Sequence, residues 1–347
     1  MLRMKSDNIT IKDIAQALGL SNSTVSRALQ DSYKISEAIK KKVQDYAKEK
    51  NYHPNLVAQS LRSKKTRSIG ILIPSIPNIF WGEVVDGIES VAHEKNYHFL
   101  ITQSLESYER ELENLEHLMW RSVDGLLISL STETENIEHF KKVHEKNIPI
   151  VFFDRVTDAI KTHQVKADNA EGTYKATKHL LENGYKRIAH ITSPPNISIT
   201  KERLEGYYRA LKEFNLEVNP DYVKYCYHGG REVNEVETVL DELLNLKKVP
   251  DAVITASDRI TITVLALLQK RKISVPKKLA VIGFTNFTSP EIFNPPLTTV
   301  RQPAFEMGKL ATELLIQLIE SKRPVTSFEK RILPTELFIR ESTSRKK

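Results

Sequence analysis

The sequence predicts an α/β protein with two largely parallel sheets, preceded by a small all-α unit. Three observations carry this. From Ile69 onward, short apolar β-rich runs alternate with amphipathic helical segments, the pattern of parallel strands covered by helices on both faces. There are about ten such runs, more than one doubly wound sheet of usual size holds, so two sheets are expected. The basic excess of the 347-residue chain is confined to its start: residues 1–67 contain 14 Lys+Arg and 6 Asp+Glu, and they carry helical periodicity throughout.

The all-α unit begins at Thr10, an N-cap with Asp13 three residues on in a near capping-box arrangement; Ile11, Ile14, Ala15 and Leu18 then share one helical face. Gly19 breaks the helix. Ser21 caps a second one, with Val25, Ala28 and Leu29 inward and Asn22, Ser23, Ser26 and Arg27 outward. Ser36 is expected to cap a third, with Ile39, Val43, Tyr46 and Ala47 inward and Lys40, Lys41, Lys42 and Lys48 outward. Two short helices joined at a glycine and braced by a third read as a helix-turn-helix, whose second helix enters the DNA major groove. Its outer face suits that task. Asn22 and Ser23 can bond base edges or phosphates, Arg27 carries the fork that reads guanine, and Thr10, Ser21 and Ser26 are placed for phosphate oxygens. Concentrated positive charge on so small a unit is the electrostatic footprint of nucleic-acid binding.

Next comes HPNLVAQSLRSKKTRS, His53 to Ser68. Pro54 stops the preceding helix, and Asn55 caps a segment ending at Leu61, under two turns long, before a basic run. A helix that short is marginal in water and is expected to order only against a partner.

TIKDIAQALGLSNSTVSRALQ followed by HPNLVAQSLRSKKTRSIGILIP resembles the headpiece and hinge of the lactose/galactose-repressor family of bacterial transcription regulators. The resemblance continues through FFDR, DNAEG, KERLEGYYRAL and VIGF, over nearly the whole chain. It implies a two-lobe core of the periplasmic-binding-protein type, with Rossmann-like lobes joined by three crossovers. It also implies a homodimer bound to a near-palindromic operator, and an effector in the cleft between the lobes. In the hinge, it assigns Leu61 as the wedge between central base steps of the minor groove, with Asn55 and Ala58 beside it. The expected organisation is a headpiece over residues 1–54, a hinge over 55–68, a first lobe over 69–161 plus 292–322, and a second lobe over 162–291 plus 323–347.

Ligands of open α/β sheets bind beyond the carboxyl ends of strands. The candidates are therefore Asn78, Phe80 and Trp81 after ILIP, Asp154 and Arg155 after IPIVFF, Asp258 after DAVITAS, Asn286 after VIGF, and Arg203 in the helix after RIAHIT. By the resemblance, Arg203 and Asp258 match effector-contacting residues, and Phe80 and Trp81 an aromatic wall. The chain departs from the family pattern at Ser257-Asp258 and Thr285-Asn286, where many members read Asn-Asp and Asp-Asp. Ile197 and Ile199 stand where purine-binding relatives place polar or charged contacts. A sugar or sugar derivative is the expected effector, with a protein corepressor as the alternative.

The chain has none of the GxSxG, HExxH, Walker or GxGxxG motifs, and catalysis is not expected. No cofactor is expected. The single cysteine, Cys226, reads as a strand residue, and its neighbour His228 does not complete a metal site. With neither a signal-peptide segment at its start nor an apolar stretch of membrane-spanning length, the protein is expected in the cytoplasm, on the nucleoid when bound to DNA.

Overall fold

The computed structural model describes residues 9–52 and 65–345, which form two compact units divided after Thr66. The smaller unit holds three helices: α1 (Ile11–Leu18), α2 (Asn22–Leu29) and α3 (Glu37–Glu49). The capping box at α1 is complete. The Thr10 hydroxyl accepts from the Asp13 amide at 3.3 Å, and the Asp13 carboxylate accepts from the Thr10 amide at 2.8 Å. The Thr10 hydroxyl also donates to the Asp13 carboxylate at 2.7 Å, and this bond, with the one from the Thr10 amide, holds the Asp13 carboxyl below its ordinary pKa. Gly19 takes the left-handed conformation (φ +67°), letting the Leu20 amide reach the Ala15 carbonyl at 2.9 Å and close the helix. Ile14, Ala15, Val25, Ala28, Val43 and Ala47 make the core.

Two expectations change here. Ser36 precedes α3 with extended backbone, but its side chain makes no capping bond; its carbonyl receives the Ile39 and Lys40 amides instead. Lys40 does not face outward. It is buried, 7% exposed, because its ammonium reaches Asp31 and Glu37, each at 2.8 Å, and pins the turn after α2 to the start of α3.

In the larger unit, strands β1 (Ser68–Ile73), β2 (His98–Gln103), β3 (Gly125–Ile128), β4 (Ile150–Phe153), β5 (Gln164–Ala167) and β11 (Lys330–Leu333) form one all-parallel sheet, in the order β11-β5-β4-β3-β1-β2. The second sheet contains β6 (Ile188–Thr192), β7 (Val223–Tyr225), β8 (Ala252–Thr255), β9 (Ala280–Phe284), β10 (Thr298–Arg301) and β12 (Glu336–Phe338), ordered β12-β10-β9-β8-β6-β7, with only β12 antiparallel. Fully buried runs such as GLLI, IVFF and AVIT occupy the sheet interiors, as covered parallel strands require.

The first lobe carries α4 (Ile79–Glu94), α5 (Tyr108–Trp120), α6 (Glu138–Glu145) and α11 (Ala304–Glu320). The second carries α7 (Asn169–Glu182), α8 (Ser198–Glu213), α9 (Val233–Leu244) and α10 (Asp258–Lys270). Helices α4 and α11 pack backbone against backbone. A Cβ on Gly87 would lie 2.0 Å from the Phe305 carbonyl oxygen, and one on Gly308 would lie 2.1 Å from that of Val84.

Sheet membership sets the crossovers later than the expected 161, 291 and 322. The chain leaves the first sheet after Ala167, returns after Arg301, and leaves finally between Leu333 and Glu336. The cause lies in QVKA, TTVR, KRIL and ELF. These strands are short and mix polar with apolar residues, so their apolar signal is too weak to mark them. The first residue of the unit is firmly anchored. Arg67 donates its amide to Asp124 at 2.9 Å and its guanidinium to Glu320 at 3.1 Å, while covering the ring of Tyr97 at the C-terminal end of α4. Among the described residues no helix is long and apolar enough to cross a membrane.

Candidate ligand cleft and nucleic-acid interface

The carboxyl ends of β1 and β4 face those of β6, β8 and β9 across a cleft of about 630 Å³, counted with the solvent open to it. All eight expected residues border it: Asn78, Phe80, Trp81, Asp154, Arg155, Arg203, Asp258 and Asn286. Their hydrogen bonding divides them into those with capacity left for a ligand and those already spent on the protein.

Arg203 has capacity left. It is buried, stacks over Phe284 at 4.3 Å, and donates to Asn169 Oδ1 (3.0 Å), the Ala256 carbonyl (2.5 Å) and Gln302 Oε1 (3.2 Å). All three acceptors are neutral, and burial pushes its pKa down to about 10, so it stays charged at neutral pH. Guanidinium N–H groups remain for a ligand. Asp154, in the left-handed conformation (φ +56°), puts a buried carboxyl at the cleft wall; burial raises its pKa, against the pull of Arg155 and Arg203.

Asp258 and Asn286 are committed to the protein. The Asp258 carboxylate accepts from the Thr285 hydroxyl and, at 3.1 Å, from the Asn286 amide, which fastens the start of α10 to the end of β9; burial still raises its pKa. The Asn286 side chain donates to Glu83 Oε2 (2.5 Å) and the Gln302 carbonyl (2.8 Å) and accepts from the Gln302 amide (3.0 Å). Because Glu83 lies on α4, Asn286 ties one lobe to the other. Asn78 caps α4 by accepting from the Phe80 amide at 2.9 Å. Phe80 and Trp81 meet edge to face, and Trp81 continues onto Phe153, so the aromatic wall is also core.

Arg155 is held by Glu106 in a two-point contact at 2.7 and 3.1 Å. Burial works against both charges, and their attraction outweighs it: Glu106 titrates below its ordinary value and Arg155 above. Glu106, Arg259 and Gln302 also border the cleft and were missed by the sequence reading. Glu106 stands three residues beyond the end of β2, and Gln302 follows β10, whose TTVR mixes polar with apolar residues and gives a weak strand signal. Arg259 donates from the second lobe to Ser75 Oγ at 2.8 Å in the first.

Cys226, just beyond β7, is buried, and burial pushes its thiol up to about 12. Among the described residues no cluster of His, Cys, Asp or Glu is arranged to hold a metal.

On the smaller unit, Thr10, Ser21, Asn22, Ser23 and Arg27 are exposed and Ser26 is half-buried. The Ser21 hydroxyl caps α2 by accepting from the Thr24 amide at 3.1 Å and also bonds Ser23 Oγ at 2.8 Å. Arg27 stands in the last turn of α2, opposite the packed side of Val25 and Ala28. Asn55, Ala58 and Leu61 lie outside the described residues.

A short polar helix face on a basic three-helix unit, joined to two lobes around a polar cleft, defines a ligand-responsive DNA-binding regulator. Residues 10–55 match the family model of bacterial regulatory proteins, lacI family, and residues 177–343 match the periplasmic binding protein-like domain. The chain is 33% identical over 338 residues to the HTH-type transcriptional repressor PurR of Vibrio campbellii, covering 97% of this chain and 99% of that protein. It is similar to a transcriptional regulator CelR–cellobiose complex, at 27% identity and TM-score 0.69 over 96% of this chain and 99% of that one. It also shares the fold of a lac repressor dimer bound to operator and the anti-inducer ONPF, at 23% identity and TM-score 0.82 over 97% and 99%. The chain belongs to the lacI family of bacterial regulatory proteins; it is a helix-turn-helix transcriptional repressor, not an enzyme.

Proposed function

We propose that this repressor binds a near-palindromic operator as a homodimer and that a sugar or sugar derivative, held between the lobes, sets its operator affinity. The observation that carries the sugar reading is the charge balance of the cleft. Glu106, Asp154 and Asp258 face Arg155, Arg203 and Arg259 around Phe80, Trp81 and Ile199. Three acidic and three basic side chains leave no excess of one type for a strongly charged ligand, and a polyhydroxylated ring offers both donors and acceptors to such a lining together with an apolar face for the aromatic wall. In the stretch before Arg203, Ile199 borders the cleft where purine-binding relatives are expected to place a polar or charged contact, with Ser193 as its polar contribution. The solved CelR complex with cellobiose is a relative whose ligand has this chemistry.

The effector acts by preferring one arrangement of the lobes and thereby one spacing of the two headpieces. A differential affinity on the order of 1–3 kcal/mol suffices to shift operator occupancy usefully. Calorimetric titration of the full-length protein with monosaccharides, disaccharides, sugar phosphates and nucleobases tests the reading. A sugar of the panel is expected to bind, and Arg203→Ala to weaken it about tenfold or more by removing the buried guanidinium. Binding of a nucleobase in place of every sugar would overturn the sugar reading; silence across the whole panel would favour a protein corepressor.

A further inference from the structure

The amino ends of the second sheet carry a charged surface that the cleft does not use. Strands β6, β8 and β9 are parallel neighbours, so the turns that enter them stand side by side, at the opposite end of the sheet from the cleft. Residues 183–187, 245–251 and 270–278 make these turns and hold nine Lys or Arg against one acid, Asp251. Elsewhere after residue 67 the balance is reversed, with 28 Lys+Arg against 37 Asp+Glu.

The turns are laced into one surface. The Asp251 carboxylate accepts from the Lys186 and Arg187 amides at 3.2 and 2.9 Å, and the Arg187 guanidinium donates to the Val249 carbonyl at 2.6 Å. Tyr222 donates its hydroxyl to the Lys248 carbonyl at 2.8 Å. Arg345 adds a cation, donating to the Gly184 carbonyl at 2.6 Å while covering the Tyr185 ring. Arg271 is spent on Glu237 and Asp241. By contrast, Lys186, Lys247, Lys248, Lys272, Lys277 and Lys278 are exposed, and none has an ion-pair partner among the described residues. The carbonyl ends of α7, α9 and α10 meet here and offer roughly −1.5 charges in all, which leaves most of these lysines uncompensated.

We propose that this pole of the second lobe docks an acidic segment of another protein. Three strands about 4.8 Å apart, with the reach of the lysines added, make a surface about 20 Å across, the length of about six extended residues. A short run of Asp and Glu is therefore held whole. A DNA duplex is too stiff to bend within that distance and would extend past the lysines onto a core in which carboxylates outnumber cations. Val249, 39% exposed among the lysines, adds an apolar contact suited to a polypeptide. A partner held here leaves the cleft open to its own ligand, because the cleft lies at the carboxyl ends of the same strands.

The full-length protein, its headpieces saturated with a tight-binding duplex selected on the protein itself, is titrated at about 50 mM salt with a fluorescein-labelled peptide of about six glutamates. The peptide is expected to bind. Lys247→Glu, Lys248→Glu, Lys277→Glu and Lys278→Glu combined should weaken it about tenfold or more, and arginine at the same four positions should keep it within about twofold. Affinity for the selected duplex should be the same in all three proteins, which reports an intact fold. A peptide that fails to bind the unmodified protein, or binds the glutamate variant equally well, would overturn the docking surface and leave the lysines a solvated face. Displacement of the peptide by an excess of duplex lacking the selected sequence would overturn it too, assigning the pole to nucleic acid.

Discussion

Replacing Arg27 by Ala is expected to cost ~1–3 kcal/mol of operator affinity and to relax the preference at one base pair per half-site. Fluorescence anisotropy on a set of single-base operator variants checks this; a loss uniform across all of them would place Arg27 on phosphate. A second prediction concerns His190. It is fully buried, bonds the Ile254 carbonyl through Nδ1 at 3.0 Å, and is pushed by burial down to about 4. The unfolded chain takes up this proton at the ordinary histidine value, so between there and about 4 the unfolded state binds more protons. The contribution of His190 to stability is complete above the ordinary value and is lost as pH falls through this window, by about 3 kcal/mol in all. Urea unfolding midpoints of His190→Gln should accordingly fall less steeply with acidification than those of the unmodified protein. Residue type and position after a strand were enough to place all eight candidates at the cleft. What they could not show is where hydrogen bonds are spent: Asp258 and Asn286 read as ligand contacts from the sequence, yet their partners Thr285, Glu83 and Gln302 come from elsewhere in the chain.

Among the elements, strong apolar signals were legible and weak ones were not. SIGILI, GLLI, IVFF and AVIT declare themselves because both faces are covered, and α4 does so through its capped start and regular apolar face. The missed strands are short and mixed in polarity, and all four, QVKA, TTVR, KRIL and ELF, flank the points where the chain switches lobes, which is why the crossovers fell later than expected. The pairing of α4 with α11 was not legible either, since a glycine in a helix does not announce which backbone it meets. It makes a sharp prediction. Gly308→Ala must push α4 and α11 apart and should destabilise the fold by ~1–3 kcal/mol, whereas Gly82→Ala, with nothing within 4 Å of its Cβ, should leave stability unchanged or raise it by ~0.5–1 kcal/mol. Denaturant unfolding of the two variants side by side decides it.

For the whole molecule, the segregation of charge has a measurable result. Outside residues 1–67 the chain is close to neutral, so the salt dependence of DNA binding should come almost entirely from the headpiece. With about 6–10 phosphates contacted, operator affinity should fall by about 10³-fold or more between 50 and 200 mM salt, as titrations across that range would show. The architecture also gives α4 a particular place. Its first turn, at Phe80 and Trp81, stands in the cleft, and its last abuts Tyr97 and Arg67, where the chain enters the core. Sixteen helical residues make a rod about 24 Å long, and a tilt of about 5° pivoting at the cleft would swing the far end by about 2 Å. Arg67 meets that end of the rod through the Lys95 carbonyl and the Tyr97 ring while also holding Glu320 and Asp124, so the rod has the geometry of a lever arm whose far end bears on the first residue of the larger unit.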